Sequence, residues 1–299
     1  MTIDVDGLLA RRKLKRRLTF WRVAALLLVV ALAVALFGAE GKGVLPHIAR
    51  VNVDGVILDE RDRVDMLDDL ADDGNVKAVI VRIDSPGGTV VGSEMLYESL
   101  RKVAAKKPVV AVIDSIGASG GYITALATDR IYARENSLTG SIGVIFQAPE
   151  FSELMSNIGV KVNEIKSAPL KGGPSPFKPM SDEMRQSIEV VLDDSFAWFK
   201  GVVQKRRGLT AEQLQAVSDG RVYTGRQAIG NGLIDALGGE DEALDWLDKE
   251  KHVDKNLPVV DAHEDRDIPF MTKALSMVLG DSHLADSLSL DGLLALWQP

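Results

Sequence analysis

From Ile48 onward, short apolar runs alternate with segments whose apolar positions recur at helical spacing. Ile48–Ile57 reads as a strand pair or as one strand with a turn, and Arg61–Ala71 as a helix with a polar face. Val76–Ile83 is a strong strand, followed by the turn Asp84-Ser85-Pro86-Gly87-Gly88 and a helix to about Ala105. The next strand, Val109–Asp114, leads through the glycine-bounded stretch Gly117-Ala118-Ser119-Gly120-Gly121 into a helix beginning at or near Ser119. Strands are expected near Arg130–Ala133 and Gly140–Phe146, then a helix near Glu150–Asn157 and a strand over Val160–Lys166. Residues 166–179 carry four prolines and two glycines and must form a loop. Beyond Leu247 the pattern weakens: Val259–Ala262 fits one more short strand, and Ile268–Trp297 has the spacing of an amphipathic helix. Strands alternating with helices predict an α/β fold, a largely parallel sheet covered by helices.

Sites in such sheets form at the carboxyl ends of strands. Two glycine-rich stretches fall there, Ser85-Pro86-Gly87-Gly88 and Gly117–Gly121. A serine where a strand turns into a helix presents its hydroxyl beside free backbone N–H groups, a setting for a nucleophile and an oxyanion. The same position also suits an N-cap serine. Neither stretch is G-x-G-x-x-G, and no G-x-x-x-x-G-K-[ST] loop is present, so neither dinucleotide nor phosphate-loop binding is indicated. A serine nucleophile needs a base. The histidines are His47, His252, His263 and His283, none of them between Val51 and Lys251. A lysine can take the role when it is neutral.

Composition narrows the classes further. The 299 residues are 46% hydrophobic, enough for a substantial core, and the formal net charge of -8 with no basic face outside the N-terminus argues against a nucleic-acid partner. The chain has no cysteine, which excludes disulfides, thiol catalysis and cysteine-ligated zinc; no metal or other cofactor is indicated. The N-terminus is distinctive. Basic residues at 11–13 and 15–17 precede Phe20-Trp21-Arg22 and a run uncharged from Val23 to Ala39, at the short end of the ~17–25 residues of a spanning helix. Residues 1–19 are therefore expected to be cytoplasmic and 20–39 an uncleaved single-pass anchor, with the remaining chain on the far, extracytoplasmic side.

Arg82-Ile-Asp-Ser-Pro-Gly-Gly88, Ala118-Ser-Gly-Gly-Tyr122, Leu138-Thr-Gly-Ser-Ile-Gly-Val144, Ile165-Lys-Ser-Ala168 and Asp219–Ala228 together give the stretch from Val51 to about Leu247 a specific likeness. It resembles the serine–lysine signal peptide peptidase A family, in its short, single-repeat form. The resemblance implies a Clp-protease/crotonase-like fold, a protease domain over 40–250 with a C-terminal extension over 251–299, and a membrane-anchored homo-oligomer acting on peptides such as signal peptide remnants. It implies Ser119 as nucleophile, Gly88 as oxyanion-hole glycine and Ser141 as the serine that orients the lysine; the Gly120 N–H is added from helix geometry. Short-form members carry the base a few residues beyond the Lys-Ser pair, which indicates Lys171. Duplicated members use the lysine of the Lys-Ser pair itself, which keeps Lys166 as the alternative. Two departures bear on that choice: Ala168 replaces a glycine, and Gly172 follows Lys171 where an aspartate is usual. The resemblance also allows serine and lysine to converge from neighbouring subunits.

Two other readings stay open on the residues. Gly117–Gly121 also satisfies G-x-S-x-G, the nucleophile elbow of α/β-hydrolases, with Asp235 and His252 or His263 following in the right order. No HGGG-type motif precedes it. The third reading is a membrane-anchored scaffold without turnover.

Overall fold

The computed structural model describes residues 16–28 and 45–262. Residues 16–28 are helical (α1), with Phe20, Trp21 and Leu26 exposed. The expected anchor over 20–39 lies partly outside the described residues, among which no helix is long and apolar enough to cross a membrane. The expected helix over 268–297, with His263 and His283, lies wholly outside them.

The central sheet is built on β1 (His47–Ile57), β2 (Val76–Gly88) and β3 (Val109–Ala118), all parallel. Around them stand β4 (Arg130–Ala133), β5 (Leu138–Gly140), β6 (Val222–Thr224), β7 (Ala236–Leu237) and β8 (Val259–Asp261). The order is β6-β5-β3-β2-β1-β8, with β4 beside β3 and β7 beside β4. Among the described strands only the β5–β6 pairing is antiparallel. The α/β expectation with a largely parallel sheet holds, and β8 is the expected last strand, paired with β1.

Both faces of this sheet are covered, and the strands divide their side chains between them. Val51 and Val53 of β1, Val79, Val81 and Ile83 of β2, and Val109, Ala111 and Ile113 of β3 enter one core. The intervening Ile48, Ala78, Ile80, Val110 and Val112 enter the other. That is the period of two of an extended chain, and covering both faces is what makes the runs continuously apolar. The larger core is closed by α2 (Arg61–Asp72), α3 (Val90–Ala104), α4 (Gly120–Leu126) and α6 (Asp182–Arg207), the smaller by α9 (Glu240–Lys251). Short helices α5 (Ser152–Asn157), α7 (Ala211–Val217) and α8 (Gly225–Gly230) complete the elements.

Of the two readings of Ile48–Ile57, the single strand holds, its register shifting between Asp54 and Val56, at Gly55. Other boundaries differ from expectation. β2 and β3 run past their apolar cores into the expected turns, because Gly87 and Gly88 pair with Val56 and Ile57, and Gly117 pairs with Ser85 and Thr139. The strand expected over 140–146 is instead Leu138–Gly140, ended by positive φ at Gly140 (86°) and Ser141 (51°). Residues 160–166 form no strand at all: no neighbouring strand accepts them, and Ile165 is wholly exposed. An alternating sequence without a partner has nothing to pair with. The proline-rich 166–179 stretch is irregular, as expected.

α4 is fixed at both ends. At its C-terminus Arg206 donates to the Leu126 and Thr128 carbonyls, each at 2.7 Å, and Arg101 donates to Ala127 O at 2.8 Å. Cations at a helix C-terminus satisfy its free carbonyls and complement its dipole. From within the helix, fully buried Tyr122 donates its hydroxyl to Leu233 O at 2.8 Å. Burial pushes that phenol above its ordinary pKa, so it remains a donor. Tyr122→Phe should strand the Leu233 carbonyl and lower stability by about 1–3 kcal/mol, read as a shift in urea midpoint at unchanged slope.

Candidate active site

Ser119 occupies the N-cap position of α4 but does not cap it. Its φ and ψ are 52° and −117°, and its side chain makes no capping hydrogen bond. Thr89, Ser181, Thr210 and Thr224, at the same position of α3, α6, α7 and α8, all accept from the amide three residues on. The N-cap explanation for Ser119 therefore fails. Positive φ in a residue with a β-carbon costs about 1–3 kcal/mol and persists only when the surroundings impose it. Here they do. The Ser119 N–H donates to Gly140 O at 2.9 Å, and its carbonyl accepts from the Tyr122 and Ile123 amides. Its hydroxyl is left to face a cavity of about 90 Å³.

The two glycine stretches meet at this point. A Cβ on Gly87 (φ 110°) would fall 2.8 Å from both Gly120 N and Ser119 Cβ. A Cβ on Gly120 would fall 2.2 Å from Ser93 Oγ and 3.1 Å from Gly88 N. Only glycine permits that approach. The effect is to set the Gly88 and Gly120 amides side by side at the rim of the cavity, next to Ser119. Buried Ser85 holds the β2 side of the junction. Its hydroxyl donates to Gly55 O at 2.6 Å and accepts from Gly87 N at 3.1 Å.

Ser141 is the second residue here with positive φ and a β-carbon. It follows Gly140, the acceptor of the Ser119 amide, and its own N–H donates to Arg221 O at 2.8 Å. Ser119 and Ser141 are thus brought to neighbouring backbone positions, with Gly88 and Gly120 beside the first. Neither lysine lines the cavity within this chain. Lys166, its side chain 17% exposed, pairs with Glu164 at 2.9 Å. Lys171 is exposed, in a turn closed by its N–H to Ala168 O.

The cavity walls were not foreseen. Val90 and Ile123 form one side and Val144 and Ile145 another. α6 closes the third with Ser195, Trp198 and Phe199, so Trp198 packs against the core and lines the site together. Ser93 was also missed, although a small side chain four residues after the Thr89 cap is the readable sign of close helix packing. A larger depression of about 270 Å³ between β4 and α9 is lined by Tyr132 and Trp246 with Glu242, Asp245, Lys249 and Glu250. Glu242 there accepts from Gly239 N and Asp245 pairs with Lys255, so two of its three acids are already engaged.

The nucleophile-elbow alternative loses Asp235 and His252, while His263 lies outside the described residues. Both Asp235 oxygens are held by Arg207, each at 3.0 Å, and Oδ2 also accepts from Ile131 N. His252 is an exposed left-handed C-cap of α9. Among the described residues there is no group of acidic side chains and histidines able to hold a metal ion.

Comparison with known proteins bears on this serine directly. Residues 101–254 match the model of Peptidase family S49. A Synechocystis protein named as a protease is 36% identical over 73% of this chain and 79% of its own length. An Enterococcus faecium protein named as signal peptide peptidase SppA is 33% identical over 72% of this chain and 65% of its own. The chloroplastic serine protease SPPA of Arabidopsis thaliana is 32% identical over 73% of this chain, which spans only 32% of that longer protein. The match to the family model and the Synechocystis coverage exclude the esterase reading, and the chain belongs to peptidase family S49, the signal peptide peptidase A family.

Proposed function

We propose that the chain is a membrane-anchored serine endopeptidase that cleaves released signal peptides and other extended apolar peptides with a Ser119–Lys171 dyad. The observation that carries this is the uncapped Ser119, held in a strained backbone beside the Gly88 and Gly120 amides and lining the same cavity as they do. In the proposed reaction the neutral Lys171 amine takes the Ser119 proton as Oγ bonds to the scissile carbonyl carbon. The carbonyl π electrons move to oxygen, and the Gly88 and Gly120 N–H groups stabilise the resulting oxyanion. Collapse breaks the C–N bond, and Lys171 returns the proton to the leaving amine. A water, deprotonated by Lys171, then hydrolyses the acyl-enzyme and restores both groups.

Charge favours Lys171 over Lys166. A base must be neutral, and the Lys166 ammonium is paired with Glu164, whereas Lys171 forms no ion pair among the described residues. Ser141, one residue beyond the Ser119 amide's acceptor, is suited to orient an incoming lysine. Assembly into a homo-oligomer is supported by two features. The lysine does not reach the cavity within one chain, and Ile145, Ile158, Ile165 and Phe177 lie exposed along the 141–179 stretch that bears it. The basic 1–19 segment and apolar 20–39 run support an inner-membrane anchor with the protease domain outside the cytoplasm. The apolar walls Val90, Ile123 and Val144 suit an extended apolar peptide.

Ser119→Ala should abolish peptide cleavage and labelling by a fluorophosphonate. An unlabelled wild-type Ser119 in the assembled, detergent-solubilised protein would instead favour a scaffold. Lys171→Ala should lower kcat by about 10²–10⁴-fold, far more than Lys166→Ala does; the reverse pattern moves the base to Lys166. Since only the neutral amine accepts a proton, kcat/KM should rise from neutral to mildly alkaline pH, and a flat profile would exclude a lysine base. Gly87→Ala should cost about 100-fold in kcat, because its Cβ would overlap the Gly120 amide nitrogen and the Ser119 Cβ, neither of which is the far end of a flexible side chain.

A further inference from the structure

The stretch that bears both candidate lysines is gathered around one carboxylate. Lys166 Nζ lies 2.9 Å and Lys178 Nζ 2.8 Å from the same oxygen, Oε2 of Glu164. The hydroxyl of Ser175, a buried residue, is hydrogen-bonded to the same carboxyl group. Lys178 foremost, then Ser175 and Lys166, hold the Glu164 carboxyl down at about 2, so it is ionised throughout the working range. Lys166 and Lys178 stand on either side of Lys171 in the chain. Their shared grip on Glu164 draws the stretch into a loop with a charged neck and Lys171 beyond it. Inside the loop the backbone has only turn bonds, Lys171 N–H to Ala168 O at 3.1 Å and Gly173 N–H to Leu170 O at 3.3 Å. Neither sheet nor helix pairing orders it.

An isolated exposed ion pair contributes little to stability, but several partners on one group can fix geometry. The Phe151 N–H to Pro176 O bond is the other tie across this region, and it too lies at the neck rather than the tip. We propose that Glu164 is a positioning residue for Lys171: by gripping Lys166 and Lys178 it closes the neck of the 166–178 loop, keeps Lys166 out of the reaction and presents Lys171 to Ser119. This inference rests on the Ser119–Lys171 reading above and adds a residue to it.

The test uses the full chain in its assembled state and an apolar peptide substrate. Glu164→Gln should lower kcat roughly tenfold or more, with KM and melting temperature nearly unchanged. The exchanged pair Glu164→Lys with Lys178→Glu again places one carboxylate between two ammonium groups, and should recover kcat to within about threefold; a purely local packing role for Glu164 would not be rescued this way. Full activity in Glu164→Gln, where Lys171→Ala is inactive, overturns the clasp and leaves the dyad standing. A rise in kcat with an active Lys171→Ala identifies released Lys166 as the base and overturns both. Should Glu164→Gln fail to assemble, Lys178→Met at the exposed side of the neck decides: a fall in kcat of about threefold or more supports the clasp, and no change overturns it.

Discussion

The close approach of two backbones, Gly87-Gly88 at the end of β2 and Gly120 at the start of α4, is the constraint on which the site depends. A methyl group at Gly87 would overlap Gly120 N and Ser119 Cβ, and one at Gly120 would overlap Ser93 Oγ of α3 and crowd Gly88 N. With side chains absent there, the first turn of α4 sits on the end of β2, and Ser119 is driven into a backbone conformation that serine rarely adopts. The distortion removes the hydroxyl from the position where it would cap its own helix. The same contact that strains Ser119 thus leaves its oxygen free for chemistry, while the Gly140 carbonyl and the arginines at the far end of α4 hold the arrangement in place.

Much of the fold was legible because each face of a covered parallel sheet imposes a period of two on apolar residues, and the central residues of β1, β2 and β3 obey it. Legibility stopped where pairing rather than side-chain chemistry decides the structure. Ser85–Gly88 and Gly117–Ala118 have the composition of turns, yet neighbouring strands hold them in the sheet. Residues 160–166 have the alternation of a strand, yet no neighbour exists for them in the described chain. Strand formation is a property of two segments, and one segment read alone reports only half of it.

The site divides in the same way. Ser119 and the two glycine stretches were legible as a candidate site because nucleophile and oxyanion chemistry demands small residues at a strand–helix junction, whereas the roles expected of Gly88 and Ser141 came from the family resemblance. The walls were not legible. Ser195, Trp198 and Phe199 lie on a 26-residue helix whose sequence announces ordinary amphipathic packing. Nothing local marks which turn of it will reach α4; that is settled by the Arg206 contacts to the α4 carbonyls, which set α6 against the serine helix.

Nucleophile and proposed base are supported by very different physics. Ser119 is over-determined by a parallel sheet, a buried tyrosine and a helix capped by two arginines, so local opening there requires disrupting the core. Lys171 rides on a stretch whose fixed points are charges and turn bonds, in a region rich in exposed apolar side chains. A division of this kind makes the rigid half competent in every folded chain and leaves the other half responsive to what packs against it. With the proposed dyad, turnover would then be confined to the state in which the lysine-bearing segment is covered, which is a physical reason for a peptidase to place a base on the least regular part of its chain.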